Sequence, residues 1–164
     1  MFRSPEQALA FAFRIRSSSV ISLPSTMYIA QKVQAQSTSE SLSRYDLHAQ
    51  AGMIFSFLSR RPDDEQAYAF YLYGEPREKR LAANFFARKY RGRLGRFGLN
   101  KMEIRRAILA RSVRHVSQET GLTEWKSWKL RREIAGLLEP ARNSLMDALW
   151  LWLEPNSGKS EACG

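Results

Sequence analysis

His115-Val116-Ser117-Gln118-Glu119-Thr120-Gly121-Leu122-Thr123-Glu124-Trp125-Lys126-Ser127-Trp128-Lys129-Leu130-Arg131-Arg132 is the stretch on which the reading of the chain turns. Gly121 stands where a chain leaving a short helix needs a positive φ, and Thr123 stands where a hydroxyl caps the helix that follows. Leu122, between them, plugs a core. Advancing about 100° per residue beyond Thr123, the residues Ser127, Leu130, Ile134, Leu137, Leu138 and Ala141 fall within one sector of about 100°, as a buried stripe should. Trp125, Trp128, Lys129 and Arg132 fall on the opposite face. Two positions cut against the pattern: Thr120 and Ser127 are polar where an apolar residue is commoner.

A short helix, a glycine turn and a capped helix with one apolar and one cationic face resemble a helix-turn-helix. In that motif the second helix needs a buried face toward its partner helices and an opposed face for the major groove, and the periodicity supplies both. Thr123, Lys126 and Lys129 are placed to reach phosphates or base edges early in the helix, and Arg132 a phosphate one turn later. Arg105, Arg106, Arg111 and Arg114, on what reads as the preceding helix, supply backbone contacts. Trp125 and Trp128 admit three readings. They pack on deoxyribose or thymine methyls, they dock a partner protein, or the last helix or the N-terminal region folds over them. Gly-Leu-Thr turns also join helices in proteins that bind no DNA.

Working outward, Ser4-Pro5-Glu6-Gln7 reads as a capped helix start running to about Arg16. Residues 17–44 are rich in Ser and Thr and read as a loop with at most one weak β-hairpin near 19–33. Tyr45 to Arg60 returns to helical spacing, with Leu47, Ala51, Ile54, Phe55 and Leu58 on one side. Pro62 and the carboxylates Asp63, Asp64 and Glu65 open the next helix, where the helix dipole favours negative charge, and Gly74 ends it. Glu75 to Tyr90 carries Leu81, Ala82, Phe85 and Phe86 as its apolar stripe. Residues 88–98 hold five basic residues, three glycines and two aromatics, a composition that argues against regular structure and marks an interdomain hinge. Asn100-Lys101-Met102-Glu103 is a capping box for a helix to about His115. Glu139-Pro140 breaks or kinks the chain before a last helix, Ala141 to Leu153, and 155–164 read as a disordered tail. The expected fold is all-α. An N-terminal helical region spans 1–87, a hinge 88–98 and a helix-turn-helix domain 99–154.

Charge agrees with this division. The chain has 164 residues and a formal net charge of +10, but residues 77–132 alone hold 17 basic and 4 acidic residues, a net of +13. The remaining 108 positions are slightly acidic. A concentrated basic segment on a near-neutral body is the footprint of a polyanion binder, although charge sign does not separate DNA, RNA and anionic lipid, and solvated helix faces carry such charge too. The most apolar stretch, Ala148 to Leu153, is far short of the roughly 18–20 residues of a membrane span. The lone Cys163 allows no intramolecular disulfide and no cysteine zinc knuckle, which points to a reducing compartment. Met1 to Pro24 holds the Arg and Ser of an organelle-targeting segment, yet Glu6 and the Ser4-Pro5 helix start fit a folded N-terminus equally well.

Residues of about 45–150, with Asp46-Leu47-His48-Ala49-Gln50-Ala51 opening a helix and Gly121-Leu122-Thr123, Trp125 and Trp128 near the end, resemble small prophage-encoded DNA-binding proteins, particularly phage late-gene antitermination proteins of the Q type. Some members of that group carry a cysteine zinc motif that this chain lacks, so only the zinc-free branch applies. The resemblance implies binding to duplex DNA near a late promoter, an RNA polymerase partner, and a bacterial cytoplasmic, nucleoid-associated location. The Ser-rich N-terminal stretch lies outside it. No cofactor is implied, and a homodimer stays open.

No enzyme motif emerges. His48 and His115 lie 67 residues apart, and neither has a ligand pair at helical spacing beyond the weak His115 and Glu119. There is no G-x-x-x-x-G-K-[ST] loop and no G-x-S-x-G elbow. The expectation is a non-enzymatic, metal-free DNA-binding transcription regulator. Two alternatives stand beside it: a helical interaction module using Trp125, Trp128 and the last helix, and a single-stranded RNA binder using residues 88–98, among them Arg91, Arg93 and Arg96.

Overall fold

The computed structural model describes residues 2–18 and 44–154, and the regular elements among them are all helical. In chain order they are α1 (Pro5–Ser18), α2 (Arg44–Ser59), α3 (Asp63–Tyr73), α4 (Pro76–Lys89), α5 (Arg91–Leu94), a single 3₁₀ turn (Gly95–Phe97), α6 (Lys101–Leu109), α7 (Val113–Thr120) and α8 (Glu124–Leu153). The expected all-α class is what the chain adopts. The hairpin expected near 19–33 and the tail 155–164 lie outside the described residues. The compact division falls between Arg60 and Arg61, giving units Met1–Arg60 and Arg61–Gly164.

In the first unit α1 packs on α2. The Ser4 hydroxyl accepts from the Gln7 N–H at 3.3 Å, while the Gln7 side chain accepts from the Arg3 N–H at 3.1 Å, so the cap closes one residue before the expected box. Ala8, Leu9, Ala12 and Phe13 of α1 are buried, as are Ala51, Ile54 and Leu58 of α2. Phe13 meets Phe55 edge-on at 5.1 Å, with the Arg16 guanidinium 4.9 Å from both ring centroids.

In the second unit α3 pairs with α4, α4 with α6, and α8 runs past α3, α6 and α7. Fully buried Phe86, Leu94, Ile104, Ile108, Val116, Leu130, Leu145 and Leu149 form its core. Glu65 differs from the role its sequence position suggests. Besides sitting in the first turn of α3, it is 4% exposed, binds Arg61 through both carboxylate oxygens at 2.7 and 3.1 Å, and accepts from the Ser144 hydroxyl of α8 at 2.7 Å. The apolar side of α4 is rotated from the expected stripe: Leu81 is 60% exposed, and Ala83 and Ala87 are buried beside Ala82 and Phe86.

Residues 88–98 do not form a hinge. They complete α4, make α5 and the 3₁₀ turn, and lie within the second unit, because Leu94 inserts into the core at 1% exposure and Tyr90 stacks on Phe86 at 6.2 Å. Gly98, at φ 77°, turns the chain toward α6. There Asn100 accepts from the N–H groups of Met102 and Glu103, and Glu103 accepts from the Asn100 N–H at 2.7 Å, as the capping box predicts.

The helix expected to reach His115 stops at Leu109. Ala110 takes an extended backbone, and Ser112 opens α7 by accepting from the His115 N–H at 3.1 Å. The serine supplies a better cap than a continued helix would use. Pro140 does not end the last helix either. α8 runs for 30 residues, about 45 Å at the usual rise, because Leu137, Leu138, Ala141, Leu145 and Leu149 keep one buried stripe on both sides of the proline.

Candidate nucleic-acid interface

The turn between α7 and α8 has the predicted chemistry. Gly121 sits at φ 68°, in the left-handed region that glycine enters without Cβ strain, and its N–H donates to the Ser117 carbonyl at 2.9 Å. The Thr123 side chain accepts from the Lys126 N–H at 3.5 Å. The two polar residues that cut against the motif have structural roles here. The Leu122 carbonyl accepts from the Ser117 hydroxyl at 2.6 Å and, more weakly, from the fully buried Ser127 hydroxyl at 3.5 Å. Thr120 donates to the Val116 carbonyl at 2.7 Å. Hydroxyls at these positions add hydrogen bonds to backbone oxygens of the turn and of α7. Leu122 itself is half-buried.

α6, α7 and α8 pack on one another. Ser127, Leu130, Ile134, Leu137, Leu138 and Ala141 are all buried. The opposite face of α8 is open. Trp125 and Trp128 are 61% and 43% exposed, and Ala141 to Leu153, expected as a separate last helix, continues α8 instead of folding back over them. They stack on each other with centroids 5.4 Å apart and planes 6° from parallel. Lys129 Nζ lies 4.7 Å from the Trp125 centroid, and the Arg132 guanidinium 5.5 Å from that of Trp128. The outward face is thus a stacked ring pair with a cation set against each ring. Among the described residues no carboxylate pairs with Lys129 or Arg132, so both charges are available to a phosphate.

Beside this face lies a groove of about 760 Å³ between α8 and the 91–97 segment. Arg93, Arg96 and Phe97 form one wall, and Trp128, Lys129, Arg132, Glu133 and Gly136 the other. Arg96 donates to the Glu133 carboxylate at 2.8 Å and holds the wall against α8. Sequence reasoning marked Arg93, Arg96 and Phe97 within the basic 88–98 segment but missed Glu133 and Gly136 as parts of a site. Their partners are more than 30 residues away in sequence, so no local spacing signals the pairing.

The remaining candidates are scattered. Lys126 is exposed at the start of α8 and Arg91 on α5. Arg106 on α6 lies 3.8 Å from Glu119, which also stands 3.5 Å from His115 Nε2. Arg105 is half-buried, and its Nε has no hydrogen-bond partner among the described residues. Arg111 lies between α6 and α7, and Arg114 on α7, so the four arginines assigned to one preceding helix are split over two helices and their link. Lys89, inside the expected hinge, pairs with Asp64, and that hydrogen bond raises its pKa.

Among the described residues no group of three or more His, Cys, Asp or Glu side chains is placed to hold a metal ion, and no helix is long and apolar enough to cross a membrane. Comparison with known proteins returns no match to a family model, a curated protein or a solved structure.

Proposed function

We propose that this protein binds duplex DNA through the outward face of α8, as a helix-turn-helix transcription regulator. The observation that carries the reading is the join of two features: a glycine turn at φ 68° feeding a capped helix, and unpaired Lys129 and Arg132 on that helix's exposed side. A buried stripe toward α6 and α7, with cations opposed to it, is what insertion into a major groove requires. Thr123 acts first as a helix cap, so in this reading Lys126, Lys129 and Arg132 carry the early contacts, with Arg111 and Arg114 contributing to the phosphate backbone. The resemblance to zinc-free late-gene antitermination proteins extends the proposal to an RNA polymerase partner acting at a late promoter.

Titration of a mixed-sequence duplex at rising salt tests the reading. Binding should weaken steeply, by about tenfold or more between roughly 50 and 200 mM salt, because each neutralised phosphate releases counterions. Absent or salt-insensitive binding overturns it. The exposed tryptophan pair also suits a protein interface, since stacked aromatics are frequent anchors there. Trp125→Ala separates the two: loss of partner capture with DNA affinity intact favours the interface.

A further inference from the structure

Trp125, Trp128 and Arg132 climb one side of α8 at intervals of three and four residues, and the next position of that stripe, four residues on, is Gly136. The column of planar groups therefore stops at a residue with no side chain. A Cβ built at Gly136 meets nothing within 4 Å, and Gly136 lines the groove beside Arg132. The backbone there is unusual as well. The helical partner of the Gly136 carbonyl would be the N–H of residue 140, which is proline and has none. Open space and a planar cation at its edge thus coincide beside a helix carbonyl whose usual donor position is a proline.

We propose that this groove takes an unpaired nucleobase that continues the column by stacking on the Arg132 guanidinium over Gly136, so that the protein prefers DNA in which a duplex passes into a single strand. Aromatic rings and guanidinium planes stack on any base, and cations track the backbone between bases. Arg93 and Lys129 flank the position from opposite walls of the groove and suit the adjoining phosphates. A base amine or a sugar hydroxyl can donate to the Gly136 carbonyl. Because Trp128, Lys129 and Arg132 belong both to the outward face and to the groove, a strand leaving the duplex enters the groove directly. The inference rests on the duplex-binding reading of that face.

The test compares four DNA probes by fluorescence anisotropy: a blunt duplex of roughly 16 base pairs, the same duplex with an adenine overhang of about five nucleotides at its 5′ or 3′ end, the same overhang made abasic, and the free single strand. An adenine overhang of one polarity should tighten binding about tenfold over the blunt duplex, and the abasic overhang, with equal phosphate charge, should not. Gly136→Leu fills the open space without removing a cation. It should abolish the gain, leave blunt-duplex affinity within about twofold and keep the helical circular dichroism, since leucine suits a helix better than glycine. An adenine gain matched by the abasic overhang, or one that survives in Gly136→Leu, overturns the proposal. So does a free single strand that binds as tightly as the junction. No gain from either polarity, with blunt duplex still bound, overturns the groove and leaves the duplex reading standing. Failure of every duplex probe overturns both.

Discussion

The Ser144 hydroxyl donates to the Glu65 carboxylate at 2.7 Å, joining α8 to α3 across 79 residues of chain. Arg61 grips the same carboxylate with two nitrogens, and this hydrogen bonding holds the Arg61 guanidinium above its usual pKa, against the opposing effect of its own desolvation. Since α8 also carries the cationic face, the buried carboxylate helps anchor the helix that presents it. Glu65→Ala should destabilise the fold by roughly 2–3 kcal/mol. That is less than the loss of a fully buried pair because the Arg61 side chain is 28% exposed. Glu65→Gln, which still accepts a hydrogen bond, should cost less. Urea unfolding checks this, with the exposed Asp63→Ala as comparison; equal losses at the two positions would count against an anchoring role.

Tyr71 provides a pH dependence. Its phenol donates to the Ile108 carbonyl at 2.9 Å, and burial pushes its pKa above the ordinary 10.0 despite the lowering influence of Arg131. The unfolded phenol therefore loses its proton first. Above about pH 10 the unfolded state binds fewer protons than the folded one, and stability falls as pH rises. The contribution is fully present at neutral pH and lost through the alkaline range. Tyr71→Phe should lower stability by about 1 kcal/mol near pH 8 through the missing hydrogen bond, yet flatten the decline above about pH 10. Parallel slopes in the two proteins would contradict this.

Two glycines should respond to alanine with opposite signs. At Gly121 the φ of 68° strains any Cβ, and Gly121→Ala should cost about 1 kcal/mol and loosen the turn that aims α8. Gly136 lies within a helix with open space about it, so Gly136→Ala should stabilise by about 0.5–1 kcal/mol. Thermal unfolding of the two variants decides; the same sign in both would show that the local backbone geometry is not what governs them.

Much of this arrangement was legible in the sequence because it is local. The Asn100 box, the Gly121 turn, the Thr123 cap and the buried stripe from Ser127 to Ala141 depend on spacings of one to four residues, and each is found where those spacings place it. The misreadings share a different cause. The glycines of 88–98 suggested a hinge, but Leu94 and Tyr90 are held by core residues that no local pattern reveals. Pro140 suggested a break, and the apolar stripe on both sides of it prevailed. Glu65 was explained by its helix terminus alone, since Ser144 is too distant in sequence to be seen as its partner. The groove was invisible for the same reason: Arg96 and Glu133 meet only once the 3₁₀ turn and α8 are folded together.

The central claim, that the outward face of α8 holds phosphates, is tested most directly by the salt dependence of duplex affinity in the wild type and in Lys129→Ala/Arg132→Ala. If both cations neutralise phosphates, the slope of log affinity against log salt should become shallower by about two in the double variant, with weaker binding and an unchanged fold. An identical slope in the two proteins would place the phosphates on some other surface and contradict the account.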